Sequence, residues 1–269
     1  MADGWLEIVK EAVKLPSLLT DIYGDLLRPG VKQVGKALET VMGLGNTIMW
    51  PLALINEKAR LTLERNLEKY REQLADTPEE RIVPVLPEIG VPLAEKMSYV
   101  VDEELSTLYV NLLAKASTEE TAKFAHPSFV TVISCLCPDE AILLREMYKR
   151  NPVPFIAVQL KVKGKEGFRP IGDVHTGIEK ENNIRLLFPS NTQAYISNFE
   201  GLGLIHVRRD IFLVAEDRYA TLEKVYKPQY ESLHPDRKKE TIEFMRGKID
   251  VTPYGLLFME ACLTGLKKS

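Results

Sequence analysis

The sequence predicts a mainly α-helical (α+β) protein with an N-terminal helical region, a central helical hub and a winged-helix-like C-terminal part. Apolar residues recur at helical spacing through most of residues 1–150, whereas strand-like alternation first occurs between Ile156 and Val162. Proline clusters at 84–92 and 151–154 interrupt these patterns. The predicted regions are 1–85, 86–150 and 151–269.

Composition places the chain among ordinary folded globular proteins. Of its 269 residues, 45% are hydrophobic and 27% are charged, which excludes a wholly disordered chain. The net charge of −3 gives no global attraction to nucleic acid or anionic lipid, although residues 151–269 are net +3, with 18 basic and 15 acidic side chains. The three cysteines form no CxxC pair, and the N-terminus lacks a basic segment followed by an apolar run. We therefore expect a cytoplasmic protein.

The longest uncharged stretch covers residues 40–56 and includes Trp50, a candidate interaction residue. Its 17 residues fall short of the roughly 20 that cross a bilayer as a helix, and Gly43, Gly45 and Pro51 weaken a transmembrane interpretation. A buried pair of helices kinked at Pro51 is the favoured interpretation. Peripheral membrane contact through residues 40–56 and an interface with a partner are the alternatives.

The N-terminal region is predicted to contain short helices at 5–15 and 17–27 and a long charged helix from Glu57 to Ala75. The apolar stripe of the long helix suits a core or a dimer interface, so the oligomeric state stays open. The prolines that follow predict an extended connector. It is expected to reach a new helix near Pro92, with proline in the first turn.

Residues 102–116 carry the strongest helix pattern of the chain. Asp102 precedes a run of apolar residues at helical spacing. The run consists of Leu105, Leu108, Tyr109, Leu112 and Leu113. Asn111 lies beside it, and because a buried unpaired amide costs roughly 1–3 kcal/mol, we expect Asn111 to bond to the backbone of the next helix. Tyr109 and Asn111 are therefore candidate structural or interaction residues.

His126, Ser128 and Phe129 mark the start of the next short helix, with Pro127 at its first position. All three are candidate structural or interaction residues. His126 has no nucleophile spaced to pair with it and no second histidine nearby as a metal ligand. A structural hydrogen bond is therefore favoured over catalysis.

No pattern of catalytic, cofactor or metal chemistry emerges from the sequence. Asp173 and His175 lack partner ligands and are expected to lie in a polar loop. The glycine motifs that cradle nucleotide phosphates are absent. We therefore predict no catalytic residues, no cofactor and no metal, and we expect that the protein is not an enzyme.

A family resemblance is carried by short segments spread along the chain. They are Asn56–Arg60, Asp102–Leu105, Leu108–Tyr109, Asn111–Ala114, His126–Phe129, Pro138–Ala141 and Thr252–Gly255. Together they resemble the abortive infection alpha (Abi-alpha) family over roughly residues 30–265. The resemblance implies a bacterial protein of phage defence, in which infected cells stop growing before phage is released. It carries no catalytic residue over to this sequence.

The C-terminal region has the element order of a winged helix with an enlarged wing. The predicted elements are helix 138–150, strand 156–163, helix 190–202, strand 204–208, helix 215–230, strand 244–251 and a closing helix. Winged helices often read DNA with the second helix, yet residues 190–203 contain no Lys or Arg. Because phosphate contacts dominate affinity, a structural or protein-binding winged helix is favoured. The basic candidates for nucleic-acid contact are Lys161, Lys163, Lys165, Arg208 and Arg209.

The expected function is phage defence through binding of a phage or host component, without catalysis. This expectation depends on the Abi-alpha resemblance and on the lack of a catalytic grouping. One alternative is a membrane-perturbing effector that acts through residues 40–56 and would be associated with a membrane. The other alternative is a winged-helix protein that binds nucleic acid.

Overall fold

The computed structural model describes residues 30–45, 57–181, 183–235 and 240–266. The helices predicted before residue 30, most of the uncharged segment and Trp50 lie outside these ranges. Contacts divide the chain into two compact units. One consists of residues 1–138 and 257–269, and the other of residues 139–256. The sequence predicts three regions that are each continuous in the chain, 1–85, 86–150 and 151–269. This division into three regions stays a prediction.

The first unit is built around a helix that is buried on every side. Its helices, in chain order, are α1 (Val31–Gly45), α2 (Glu57–Leu74), α3 (Pro87–Met97), α4 (Glu103–Ala116) and α5 (Ser128–Ser134). Helix α4 contacts α2, α3 and α5, and every residue from Leu108 to Ala116 is buried. A helix buried all round forms the centre of a core. Its polar side chains, Asn111 and Lys115, therefore need partners inside the protein.

Helix α4 begins where the sequence predicts it. Asp102 has extended backbone angles, and its Oδ1 accepts a hydrogen bond from the N–H of Leu105 at 3.1 Å. Such a cap satisfies one of the backbone donors that a helix leaves unpaired at its start. Glu103 and Glu104 add negative charge in the first turn, where the helix dipole favours it.

Helix α3 begins five residues earlier than the sequence predicts. Leu86 is extended, and Pro87, instead of Pro92, occupies the first helical position. Proline suits that position because its missing N–H would have no helical partner there. Pro92 instead lies inside the helix. There it removes one hydrogen bond, to the carbonyl of Glu88, which makes an interior proline hard to expect from sequence.

The second unit combines helices with a four-stranded antiparallel sheet in the order β2-β1-β4-β3. Its elements are α6 (Pro138–Lys149), β1 (Val153–Val162), β2 (Arg169–His175), α7 (Thr192–Gly201), β3 (Ile205–Arg208), α8 (Glu216–Leu233), β4 (Glu240–Val251) and the start of α9 (Pro253–Cys262). Strands β1 and β4 pair along the whole of β1. Helix α9 begins in this unit and ends in the first.

Helix α8 covers the two central strands of the sheet. It contacts both β1 and β4, and its side chains Tyr219, Tyr226 and Tyr230 share a core cluster with Ile156 and Val158 of β1. Tyrosine in such a core needs a partner for its hydroxyl. Tyr219 finds one in β4, because its hydroxyl donates to the carbonyl oxygen of Gly247 at 2.9 Å.

The mixed helical and sheet character predicted from the sequence is confirmed, but strand β2 was not foreseen. The polar loop expected around Asp173 and His175 is wrong, since both residues belong to β2. Pro170 and Gly172 interrupt the apolar alternation that would reveal a strand. The structure tolerates them because β2 is an edge strand, where proline is acceptable. The likeness to a winged helix stays a prediction.

None of the helices that the structure describes combines the length and the apolar character needed to cross a membrane.

Helix α9 starts against a backbone carbonyl that leaves no room for a side chain. The N–H of Gly255 donates to the hydroxyl of Thr252 at 2.8 Å. A Cβ atom added to Gly255 would lie 2.0 Å from the carbonyl oxygen of Leu204. Gly255→Ala is therefore expected to lower the free energy of unfolding by about 1–3 kcal/mol, although alanine normally stabilises a helix relative to glycine by about 1 kcal/mol.

Urea-induced unfolding measures this effect, with Gly201→Ala in α7 as the matched control. A Cβ at Gly201 meets nothing within 4 Å, so that variant should be as stable as the parent protein or slightly more stable. A Gly255→Ala variant that gains stability would show that Leu204 does not lie against α9.

Candidate functional site

A cleft of about 650 Å³ lies in the first unit, beside the end of α2, the turn that follows it and the end of α9. Most of the residues that line it are polar or charged. The lining residues are Lys69, Glu72, Gln73, Asp76, Thr77, Pro78, Arg81, Lys115, Thr118, Glu120, Thr121, Phe124, Glu260, Gly265 and Leu266. A concavity of this size suits the recognition of a ligand or of side chains from a partner.

The amide of Asn111 connects three segments at this cleft. Its Nδ2 donates to the carbonyl oxygen of Cys262 at 2.7 Å, and its Oδ1 accepts a hydrogen bond from Nε2 of Gln73 at 2.6 Å. Oε1 of Gln73 in turn accepts a hydrogen bond from the N–H of Leu266 at 3.3 Å. The expected bond from Asn111 to the next helix is therefore wrong, because the backbone partner lies in α9.

Lys115 is a buried basic side chain in the cleft wall. It is only 3% exposed, and its Nζ lies 3.2 Å from Oε1 of Glu260. Lys115 follows Asn111 by four residues, so both side chains lie on one face of α4. A buried ammonium is tolerated when a carboxylate pairs with it. The ion pair is thus a second link between α4 and α9.

Negative charge at the cleft exceeds what nearby basic residues neutralise. The basic residues of the wall form the pairs Lys69–Glu103, Arg81–Glu120 and Lys115–Glu260. Glu72 and Asp76 are exposed and have no ion-pair partner among the described residues. They stand four residues apart at the end of α2 and just beyond it, so this part of the rim attracts cations.

The hydroxyl groups of Thr118 and Thr121 in the wall take part in hydrogen bonds within the protein. Thr121 donates to the carbonyl oxygen of Lys115 at 2.7 Å, and its Oγ1 lies 2.6 Å from that of Thr118. The described part of the chain contains no group of three His, Cys, Asp or Glu side chains that could hold a metal ion. The cleft therefore offers charge and hydrogen-bond recognition, and the predicted lack of catalysis and of a metal stays a prediction.

Asn111, Tyr109, His126, Ser128 and Phe129 are not among the lining residues of the cleft. Tyr109 links α4 to α5, with its hydroxyl 3.0 Å from Oγ of Ser134, and burial raises the pKa of this tyrosine. His126 and Ser128 bond to each other at the start of α5, where Nδ1 of His126 lies 2.6 Å from Oγ of Ser128. Phe129 packs edge-on against Phe258 of α9, at 5.3 Å between ring centroids.

The predicted nucleic-acid contacts divide into paired and unpaired cations. Arg208 pairs with Asp210 at 3.0 Å and Arg209 with Asp173 at 3.1 Å, while Lys161 lies 3.7 Å from Glu243. The remaining two candidates, Lys163 and Lys165, are exposed in the turn between β1 and β2 and form no ion pair within the described ranges.

Comparison with known proteins assigns the chain to a family. The family model described as abortive infection alpha matches residues 62–262, which include most of the cleft wall and both links between α4 and α9. The chain belongs to the abortive infection alpha family. Membership confirms the resemblance in the sequence and indicates an Abi-alpha role in phage defence. No curated protein and no solved structure shows significant similarity to the chain.

In this Abi-alpha protein, Asp139 is a structural residue that the sequence did not single out. Its carboxylate is buried and accepts hydrogen bonds from the N–H groups of Leu187 and Phe188, both at 2.7 Å, and from the hydroxyl of Tyr195 at 3.1 Å. The loop that it holds exposes the side chains of Leu187 and Phe188 to solvent. The sequence marked this residue only through the acidic start of α6 and the family segment Pro138–Ala141, because its partners lie 48 or more residues away.

A second polar cluster of the Abi-alpha protein surrounds His175 at the end of β2. Nε2 of His175 lies 2.6 Å from the hydroxyl of Tyr230, and its ring stacks on Tyr226 at 4.4 Å between centroids. The hydroxyl of Tyr226 donates a hydrogen bond to the carboxylate of Glu179. Nζ of Lys180 lies 4.2 Å from the centre of the Tyr226 ring. Burial, together with the positive charge of Lys180, lowers the pKa of His175 from 6.5 to about 4.

The low pKa of His175 predicts a pH dependence of stability. Between the folded pKa of about 4 and the unfolded pKa of 6.5, the unfolded chain binds a proton that the folded chain does not. The free energy of unfolding therefore falls as the pH falls through this window, by about 2 kcal/mol between pH 7 and pH 5 from this group. His175→Gln should lack this pH-dependent part of the free energy of unfolding, because glutamine does not titrate. Glutamine is chosen because its side chain can still bond to Tyr230.

Urea-induced unfolding at pH 7 and pH 5 compares the parent protein with His175→Gln. His206→Gln, at an exposed position on β3, is the control and should retain the parent's pH dependence. Equal pH dependence in the parent and in His175→Gln would contradict the assignment of the low pKa to this site.

Proposed function

We propose that this protein acts in abortive infection by binding a phage or host protein at the cleft of the first unit, and not by catalysis. The observation that supports the proposal is the uncompensated negative rim of the cleft, formed by Glu72 and Asp76 beside a wall of polar side chains. Complementary charge steers a partner to such a surface and selects its orientation. We infer a cytoplasmic site of action.

The partner segment that fits this rim carries a lysine or arginine side chain. A basic side chain that enters beside Glu72 and Asp76 meets two carboxylates that have no ion-pair partner among the described residues. The amide of Gln73 lies between them in sequence and is held by Asn111, so it is a fixed point of the wall. Fixed polar groups favour binding because little conformational freedom is lost.

A winged-helix-like second unit is part of the proposal, in a structural role. The strand order β1-β4-β3, with α6 before β1 and α7 before β3, supports that likeness. Helix α7 carries no basic residue, which favours a scaffold over a DNA-reading helix. Membrane action through residues 40–56 is the alternative, and most of that segment lies outside the described residues.

Reversal of the two rim charges tests the proposal. Glu72→Lys combined with Asp76→Lys should raise plaque formation on cells that carry the gene by roughly tenfold or more, because repulsion replaces attraction. The fold should be kept, since both side chains are exposed and lysine suits the end of a helix. Plaque counts, culture survival and the thermal unfolding midpoint are the measurements.

The matched control combines Glu88→Lys with Glu95→Lys on α3. Both positions are exposed and do not line the cleft, and the change in net charge is the same. This control should protect against phage as well as the parent protein does. Equal protection by both double variants would contradict a role for the rim, and equal loss would show that net charge alone matters.

A further inference from the structure

The turn between β1 and β2 forms a basic tip, residues 161–169, that also exposes an aromatic ring. Lys163, Lys165 and Arg169 are exposed, and Phe168 keeps 65% of its surface open to solvent. The opposing charge within the tip is Glu166. Phe168 is one of several large apolar side chains that the described residues expose, and it lies in the same turn as these three cations.

Several basic residues of the second unit lie in ion pairs, among them Arg150, Arg208, Arg209, Arg246 and Lys248. Lys163, Lys165 and Arg169 have no ion-pair partner within the described part of the chain. A carboxylate paired with a cation weakens the attraction of that cation for a polyanion, whereas a cation without such a partner attracts the polyanion more strongly.

Paired strands and two glycines with left-handed backbone angles fix the position of the basic tip. Strand β1 pairs with β4 as far as Val162, the last residue before the turn. Gly164 and Gly167 adopt left-handed backbone angles, with φ of +77° and +88°, which other residues rarely adopt. The turn is thus shaped by its glycines, so its cations and Phe168 are presented at a fixed end of the sheet.

We propose that the basic tip binds single-stranded nucleic acid. Lys163, Lys165 and Arg169 contact phosphates, and the ring of Phe168 stacks on an unpaired base. Single strands offer such bases, whereas the bases of a duplex are already stacked. The proposal keeps Lys163 and Lys165 from the nucleic-acid contacts predicted from the sequence and adds Arg169. It does not depend on the cleft of the first unit.

A single strand fits the tip better than an anionic membrane does. Membrane insertion would bury one phenylalanine while drawing Glu166 and the flanking cations toward the lipid. Aliphatic side chains that would add to insertion are missing from the exposed positions of the tip. Stacking uses the ring face and leaves the charges in water, so it meets no such penalty.

Fluorescence anisotropy with a labelled single-stranded oligothymidine tests the proposal across a salt titration, using the full chain. Lys163→Ala, Lys165→Ala and Arg169→Ala together should reduce the slope of log affinity against log salt by about 2, which is roughly 0.7 for each lost phosphate contact. Phe168→Ala should weaken binding roughly tenfold with the slope unchanged, because it removes stacking and no charge.

Arg208→Ala combined with Arg209→Ala is the control and should leave both affinity and slope unchanged. All substituted side chains are at least partly exposed, and thermal unfolding checks that each variant folds. Three results would overturn the proposal: no binding at low salt, equal loss in the Arg208/Arg209 control, or Phe168-dependent binding to anionic phospholipid vesicles without binding to the oligothymidine.

Discussion

The hydrogen bonds of Asn111 are the constraint on which the first unit depends. They join α4 to the carbonyl of Cys262, which follows it by 151 residues, and to Gln73 at the end of α2. The whole second unit, residues 139–256, is thus inserted between parts of the first. Because α4 is buried, its polar side chains need partners inside the protein, and α9 supplies a partner for Asn111 and for Lys115. The last helix is therefore a component of the first core and not an appendage.

The geometry of the cleft depends on these hydrogen bonds of Asn111. Gln73 lies in the cleft wall and is fixed by Asn111, while Lys115 and Glu260 pair across the same helices. The wall is consequently formed by segments that are far apart in sequence. A rigid polar wall with exposed carboxylates at its rim is suited to recognise a partner, which agrees with the defence role indicated by the family. The basic tip of the second unit is a separate surface with the opposite charge.

Local sequence patterns predicted most of the helices and strands named below, but they did not predict the cleft. The helix from Glu57, the capped start of α4 and the mixed C-terminal part all follow from spacing and capping, which are local properties. Strand β2 escaped because pairing with β1 outweighs the unfavourable Pro170 and Gly172. The sequence does not single out Glu72 or Asp76: Glu72 lies in a helix rich in charged residues and Asp76 follows that helix. The proposed role of Glu72 and Asp76 depends on the cleft beside them. Segments that are distant in sequence form this cleft, so no single segment has a sequence pattern that predicts it.

Hydrogen exchange of the parent protein and Asn111→Ala tests the central claim most directly. If the amide of Asn111 holds the last helix in the first core, amide protection should fall together in α4 and in residues 257–266, while β1 and β4 keep theirs. Loss confined to the residues next to position 111, with unchanged protection in residues 257–266, would contradict the account. Loss of equal size in β1 and β4 would also contradict it, because the tie would then stabilise the whole chain instead of the first unit.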